Sequence, residues 1–412
     1  MEKIIVKGGK PLFGHIRASG SKNAALPLIF ASLLVPGVTV FNNVPDIGDV
    51  SVALEIISSL GARIKREGER LTIDASDLTY SPPNPNLVSK IRASTYLIGA
   101  SLARFGIADI SEFGGCNFSL RPIDFHLMAA EAMGAKREGN KMTASGLRGA
   151  KIYLPKPSVG ATINAAIMAS SASGEAEIFG YAKEPHVFCV LDFLSAIGAS
   201  VSIGDSSIKI KSAPLHSAEF TVIGDMIEAG TYLVLALISD GKITVSGINP
   251  LELSSLFSAL VSMGYAIDVK NDSVTAFSNT KSRAEKTKII INATPYPGFP
   301  TDLQPIIVPL LSKHGGVVYD SVWQERFGYL ASLAKMGLDY NLGNGCALIG
   351  KSSLHSATVT APDLRGGMAL LISAISCDGV SEIRSPEIIL RGYDRLVEKL
   401  SSLGADVNLI KM

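Results

Sequence analysis

Aromatic residues are scarce in this sequence. They make up 7% of it, with one tryptophan. Buried cores must therefore be filled by Ala, Ile, Leu and Val, which dominate the 47% of residues that are apolar. Excess charge is lacking too. The 38 basic and 37 acidic residues leave a formal net charge of +1, and no polybasic run occurs. Bulk electrostatics thus give no case for nucleic acid or an anionic membrane as partner. Cysteine is rare, limited to Cys116, Cys189, Cys346 and Cys377. No CxxC pair and no His/Cys spacing of a zinc site is present, so neither a disulfide framework nor a metal centre is expected, and a reducing, cytoplasmic setting fits best. A long apolar run is also missing. The greasiest stretch, 24–41, is broken by Pro27, Pro36 and Gly37, whereas a spanning helix takes ~20 mostly apolar residues. The residues ahead of it do not form a signal-peptide n-region, and a soluble chain with no targeting segment is expected.

Several catalytic signatures are absent. There is no GxxxxGK[ST], no dinucleotide fingerprint after a strand, no HExxH and no GxSxG. P-loop hydrolysis, hydride transfer, zinc proteolysis and serine hydrolysis all lose support.

What is present is a repeat. The segments "LEIISSLGARI", "MAAEAMGAKR", "LDFLSAIGASV", "LFSALVSMGYAI", "LASLAKMGLDY" and "VEKLSSLGADV" share a glycine at 61, 134, 198, 264, 337 and 404. In each, apolar residues at helical spacing form one stripe, and the glycine stops the helix. Alternating segments around a polar turn follow, as in "ARIKREGERLTID", which predicts hairpins. A second series precedes the first: "SKNAALPLIFASLL", "IRASTYLIGASLA", "VGATINAAIMASSA", "IEAGTYLVLALIS", "TDLQPIIVPLLS" and "LRGGMALLISAIS". These are apolar on nearly all sides, so each predicts a buried helix followed by a strand. The unit is β-α-β-α-β-β. Six units are too many for one core, and three per domain is the expected architecture of this α/β protein.

Five clusters could carry chemistry. In "ASGSKNAALPL", Gly20 and Ser21 lead into an apolar helix, so backbone N–H groups and Lys22 meet at its start, either as an anion site or as an ordinary helix end with a solvated lysine. In "SKIRASTYL", Arg92 opens another apolar helix. In "GGCNFSLRPID", Cys116 stands on a glycine-flanked polar loop five residues before Arg121. A cation lowers a thiol's pKa from its usual ~8.5, so Cys116 reads either as a reactive thiol or as a small filler. Cys189 and Cys377 sit in apolar stretches and read as core, Cys346 follows a turn, and His126 reads as structural. In "TPYPGFPTDLQP", prolines fix a loop before Thr301 and Asp302, which serve either as a helix cap or as a rigidly held carboxylate. Arg326, Arg365 and Arg391 lie near turns, where their forks suit carboxylate or phosphate as well as ordinary salt bridges.

Taken in order along the chain, "SGSKNAALPL", "GGCNFSLRPID", "KPSVGAT", "GFPTDLQ" and "LRGYDRL" resemble the enolpyruvyl transferases that act on UDP-N-acetylglucosamine, the UDP-N-acetylglucosamine 1-carboxyvinyltransferase family. The resemblance covers essentially the whole chain. It implies an inside-out α/β barrel of two domains, three βαβαββ repeats in each. One domain would be 22–223, the other 1–21 with 224–412, and the active site would lie in the cleft between them. It implies transfer of the enolpyruvyl group from phosphoenolpyruvate to the sugar 3′-hydroxyl with release of phosphate, the first committed step of peptidoglycan precursor synthesis and so a requirement for cell-wall growth and division. No cofactor is implied. Phosphoenolpyruvate would be held by Lys22, Arg121 and Arg391 with Arg365 nearby. Cys116 would protonate its methylene carbon and could also form a covalent adduct, and Asp302 would take the proton of the attacking hydroxyl. The nucleotide sugar would meet Asn23, Arg92, Arg121, Pro122, Ile123, Asp124, Phe125, Lys156, Pro157, Ser158, Val159, Asp302 and the backbone at Val322.

The sequence departs from the family pattern in places. Met226 replaces the usual arginine, Phe118-Ser119-Leu120 replaces the usual residues before Arg121-Pro122, and glycine follows Arg365 where alanine is common. These departures leave the reaction class intact and put the acceptor in question. Another nucleotide or 3-phosphoshikimate as acceptor, and a non-catalytic binding protein on the same fold, are the competing readings. An RNA-end-processing enzyme built from similar repeats would need a nucleotidylation histidine and a basic groove, and neither is evident.

Overall fold

The structure is a computed structural model that describes residues 2–110, 113–114, 122–278 and 289–411. Cys116 and Arg121 lie outside the described residues.

All six repeat glycines end helices: Gly48–Ser59, Asp124–Ala132, Pro185–Ala196, Ser254–Ser262, Leu330–Ala334 and Leu396–Ser402. Their φ angles fall between 88° and 118°, a range that L side chains avoid. The closure is the same each time. Gly61 N–H bonds the Ser58 carbonyl at 3.0 Å and Ala62 N–H bonds that of Ile57 at 3.2 Å. The equivalent pair recurs after Gly134, Gly198, Gly264, Gly337 and Gly404. This is the Schellman arrangement, which satisfies the carbonyls that a helix end leaves bare.

Five of the six glycines lead into predicted hairpins, such as Arg63–Glu67 with Arg70–Asp74 and Ser200–Ile203 with Ser207–Lys211. The sixth differs. Asp406–Lys411 follows Gly404 and pairs antiparallel with Glu2–Gly8, so the beginning of the chain supplies the second strand of that hairpin.

Among the described residues there are five four-stranded sheets and one three-stranded sheet. Each four-stranded sheet joins one parallel pair to one antiparallel hairpin, as in Lys151–Tyr153, Glu175–Phe179, Ser207–Lys211 and Ser200–Ile203. The parallel pair needs a crossover, and the buried helix Val159–Ala169 supplies it. At two places the leading strand is exchanged. Phe13–Arg17, ahead of the helix Lys22–Ala31, pairs with Lys242–Ser246. Glu219–Thr221, ahead of the helix Met226–Ile238, pairs with Val38–Asn42.

The chain divides into two compact units. One comprises Gly20–Gly115 and Leu120–Ile223, and the other contains Met1–Ser19 and Gly224–Met412. Each has its own apolar core. In the second unit, Met226–Ile238, Gln304–Leu311 and Leu364–Ser376 pack against one another, and every residue of Met226–Ile238 is buried. Burial of so many Leu, Ile and Val side chains, each worth about 1.5–3 kcal/mol, explains why these helices carry no polar face.

Candidate active site

In the unit containing Gly224–Met412, Asp302 is the centre of an ion-pair cluster. It does not cap a helix. The turn Thr301–Leu303 has no side-chain cap bond, and the carboxylate faces two arginines instead. Arg326 Nη1 stands 2.9 Å from Oδ1, and Arg365 Nη2 stands 3.0 Å from Oδ2. The two guanidinium side chains are 5% and 3% exposed, whereas Asp302 is 26% exposed. The cations are thus buried beneath a carboxylate that keeps contact with solvent.

The cluster is braced from below. Arg326 Nη1 also donates to Thr301 Oγ1 at 3.1 Å, and that hydroxyl donates to Asp320 Oδ2 at 2.6 Å. Asp320 Oδ1 accepts the backbone N–H groups of Val322 and Trp323 at 3.0 and 2.8 Å. Burial pushes Asp320 above the usual carboxylate range, against the bonds from Thr301 and Trp323. Arg365 is the second residue of the helix Leu364–Ser376, whose N-terminus is capped by Asp363 Oδ1 at 3.0 Å from Arg365 N and 2.9 Å from Gly366 N. The guanidinium carbon of Arg365 lies 5.2 Å from the centroid of the Tyr393 ring. Burial opposes its charge, but Tyr393, Asp302 and Asp225 hold it above the ordinary arginine value. Arg391 follows the short helix Glu387–Leu390 and is half-buried. Val322 is half-buried, and its N–H is committed to Asp320.

The unit containing Gly20–Gly115 carries a second group. Lys22 opens the helix Lys22–Ala31, and Ser21 makes no side-chain cap bond there. Lys22 Nζ is 2.9 Å from Asp49 Oδ2, with both side chains largely buried. The half-buried Asn23 follows. Arg92 begins the 3₁₀ turn Arg92–Tyr96 and donates from Nη2 to the Pro122 carbonyl at 3.4 Å. Burial lowers its pKa. Pro122 and Asp124 are exposed, while Ile123 and Phe125 are half-buried. Lys156 and Pro157 are exposed, and the half-buried Ser158 and Val159 start a helix, where Ser158 Oγ accepts from Ala161 N at 3.4 Å.

His126 reads as structural, and its surroundings agree. Asn164 Nδ2 is 2.6 Å from His126 Nδ1, while Asn164 also bonds the Thr95 carbonyl and the Gly99 N–H. Since the amide nitrogen donates, Nδ1 must accept, and the ring is neutral. Burial first, then Arg92, lowers the pKa of His126 to about 3.

The two groups therefore stand on different units: Lys22, Asn23, Arg92, 122–125 and 156–159 on one, and Asp302, Val322, Arg365 and Arg391 on the other. Several partners carried no local sequence signal. Asp49, Asp320, Ser19, Glu228 and Lys399 became visible only as contacts across the chain. Arg326 was legible as an arginine near a turn, but its partner was not.

On one unit two buried guanidiniums hold a partly exposed carboxylate, and on the other a lysine at a helix start pairs with Asp49, and each group is of a kind that suits anionic ligands. The chain belongs to the 1-carboxyvinyl, or enolpyruvyl, transferase family. The family described as EPSP synthase (3-phosphoshikimate 1-carboxyvinyltransferase) matches residues 6–400. Among curated relatives, the UDP-N-acetylglucosamine 1-carboxyvinyltransferase of Halothermothrix orenii is 39% identical over 419 aligned residues, covering 100% of both chains. UDP-N-acetylglucosamine 1-carboxyvinyltransferase 1 of Streptococcus agalactiae serotype Ia is likewise 39% identical with full coverage of both. Among solved structures, the enolpyruvyl transferase NikO from Streptomyces tendae superposes with a TM-score of 0.88 at 25% identity, covering 100% of this chain and 99% of that one. EPSP synthase from Acinetobacter baumannii shares the fold, with a TM-score of 0.75 at 16% identity and full coverage of both chains. No helix of the described residues is long and apolar enough to cross a membrane.

Proposed function

We propose that this protein transfers the enolpyruvyl group of phosphoenolpyruvate to the 3′-hydroxyl of UDP-N-acetylglucosamine and releases phosphate, the first committed step of peptidoglycan precursor synthesis, in the cytoplasm. The observation that carries this reading is full-length similarity, at 39% identity, to relatives named for that activity. Each unit is read as a three-repeat inside-out barrel, with 22–223 as one domain and 1–21 with 224–412 as the other.

Phosphoenolpyruvate is held as a polyanion by Lys22, Arg121 and Arg391, with Arg365 beside them. Asn23, Arg92, residues 121–125, residues 156–159 and the Val322 backbone hold the nucleotide sugar. The Cys116 thiol gives its proton to the methylene carbon. The adjacent carbon gains cationic character, and the sugar 3′-oxygen attacks it while Asp302 accepts the hydroxyl proton. The tetrahedral adduct then loses phosphate, which carries away the proton that Asp302 accepted. A proton leaves its methyl group for the thiolate, which restores the double bond and the thiol. The fixed cations match the charge on phosphate and carboxylate throughout, with no reorganisation at the moment of reaction. They also favour thiolate over thiol at Cys116, an effect that the bound polyanion offsets.

The test is phosphate release from phosphoenolpyruvate by the purified protein. Release that requires UDP-N-acetylglucosamine supports the reading. Release with 3-phosphoshikimate instead overturns the acceptor, and no release with either points to a binding protein.

A further inference from the structure

A second buried ionic cluster, apart from Asp302, lies in the unit containing Gly224–Met412. Ser19 is its hub. Its N–H donates to Glu228 Oε2 at 2.7 Å, and its carbonyl accepts the Asp225 N–H at 2.8 Å. Its hydroxyl accepts from Lys399 Nζ at 2.6 Å and donates to Asp394 Oδ2 at 2.8 Å. Lys399 Nζ also donates to Glu228 Oε1 at 2.6 Å. Ser19, Glu228 and Asp394 are 6%, 3% and 3% exposed, and the Lys399 side chain is 11% exposed. Every hydrogen-bonding group of Ser19 is engaged by side chains or backbone from the start of the helix Met226–Ile238 and from the segment 394–399.

This cluster sits at the root of groups that the reaction uses. Asp394 adjoins Tyr393, which lies under Arg365 and bonds Thr231 Oγ1 at 3.0 Å. Arg391 is three residues before Asp394, and Lys22 is three residues after Ser19. Buried charges are costly unless paired, and retaining three of them around one serine fixes a single geometry.

Resting on the enolpyruvyl-transfer reading, we propose that Lys399, Glu228 and Ser19 are positioning residues that hold the Arg391–Lys399 segment, and with it the phosphoenolpyruvate-binding Arg391, in register with the chain at Ser19. Glu228 makes this anchor sensitive to pH. Both of its oxygens accept from donors, which suits the carboxylate, while burial works against the charge. Burial, opposed by Lys399 and aided by Asp225, raises Glu228 to about 7. The groups facing it are Lys399 from the C-terminal segment, Asp225 and Tyr232 from its own cap and helix, and the Ser19 backbone, with Asp394 and Tyr393 beyond them next to Ser19 and Tyr232. Below that pH the acid is neutral, and the charge that pairs with Lys399 is lost.

Lys399→Met, Glu228→Gln and Lys399→Arg test the proposal. In Lys399→Met, KM for phosphoenolpyruvate is expected to rise about tenfold or more, since sub-ångström misplacement is costly at such sites, while KM for UDP-N-acetylglucosamine changes less. Lys399→Arg restores part of the loss. Glu228→Gln removes the limb near pH 7 from the kcat/KM profile. Amide exchange read by mass spectrometry on substrate-free protein, in residues 387–399 and 13–22, quickens in Lys399→Met relative to the rest of the unit. Equal rises of both KM values, an unchanged pH limb in Glu228→Gln, or unaltered local exchange overturns the proposal. A wild-type protein that turns over neither acceptor overturns the enolpyruvyl-transfer reading instead, and the exchange measurement then still decides the anchoring.

Discussion

Arg365 grips Asp302 through two nitrogens, Nη2 at 3.0 Å and Nε at 3.3 Å, both on Oδ2. Arg326 takes the other oxygen. The carboxylate is therefore held by two buried guanidiniums while part of it stays exposed, and the proposed role as base needs that exposed side. Asp302→Asn keeps the shape and one acceptor but cannot take a proton. It is expected to lower kcat by about 10²–10⁴-fold, with the fold retained by circular dichroism. Asp302→Ala leaves two buried guanidiniums facing no carboxylate, and denaturant titration should show it a few kcal/mol less stable, by about 3.

Cys116 is the residue read as acid or nucleophile. A small epoxide phosphonate should add one equivalent to the protein, with peptide mass spectrometry placing it on Cys116. Cys116→Ala should abolish both labelling and turnover. Loss of activity with Cys116 unlabelled would contradict the role given to that loop.

His126 makes stability depend on acid. Its folded pKa of about 3 lies below the ordinary value of 6.5, so the unfolded chain binds the proton more readily. The contribution is complete above pH 6.5 and falls by about 1.4 kcal/mol for each unit below that, down to about pH 3. Chemical denaturation at pH 7.5 and pH 5.5 should therefore show a loss on acidification that is smaller in His126→Gln, once the carboxylate contributions common to both proteins are subtracted.

Gly20 has no room for a side chain. A Cβ there would stand 1.7 Å from the Asn43 carbonyl oxygen. Gly20→Ala must displace backbone two residues before Lys22, and it is expected to cost about 1–3 kcal/mol in stability. Its melting temperature should fall, and KM for phosphoenolpyruvate should rise with it.

The two helix series and the six glycine stops were legible because they are local. A stripe at helical spacing and a residue that must take positive φ depend on neighbours a few positions away, and all six stops formed the same closing bonds. The last hairpin was not legible, since its partner strand Glu2–Gly8 is some four hundred residues distant in sequence. The exchange of leading strands between Phe13–Arg17 and Glu219–Thr221 was hidden for the same reason. In the site, Lys22 and Asp302 stood out by context, yet for Lys22 an ordinary helix end was the more readable alternative, and for Asp302 a helix cap was a strong one.

The sequence by itself determined which residue types are available for the chemistry, the period of the repeat, and the apolar helices that must be buried. Local conformational preference and transfer of apolar surface from water are properties of short segments. The tertiary structure decided which charges meet: Asp302 with Arg326 and Arg365, Lys22 with Asp49, and Ser19 with Glu228, Asp394 and Lys399. Such pairs form across tens to hundreds of residues, and a buried charge persists only where the fold brings it a partner.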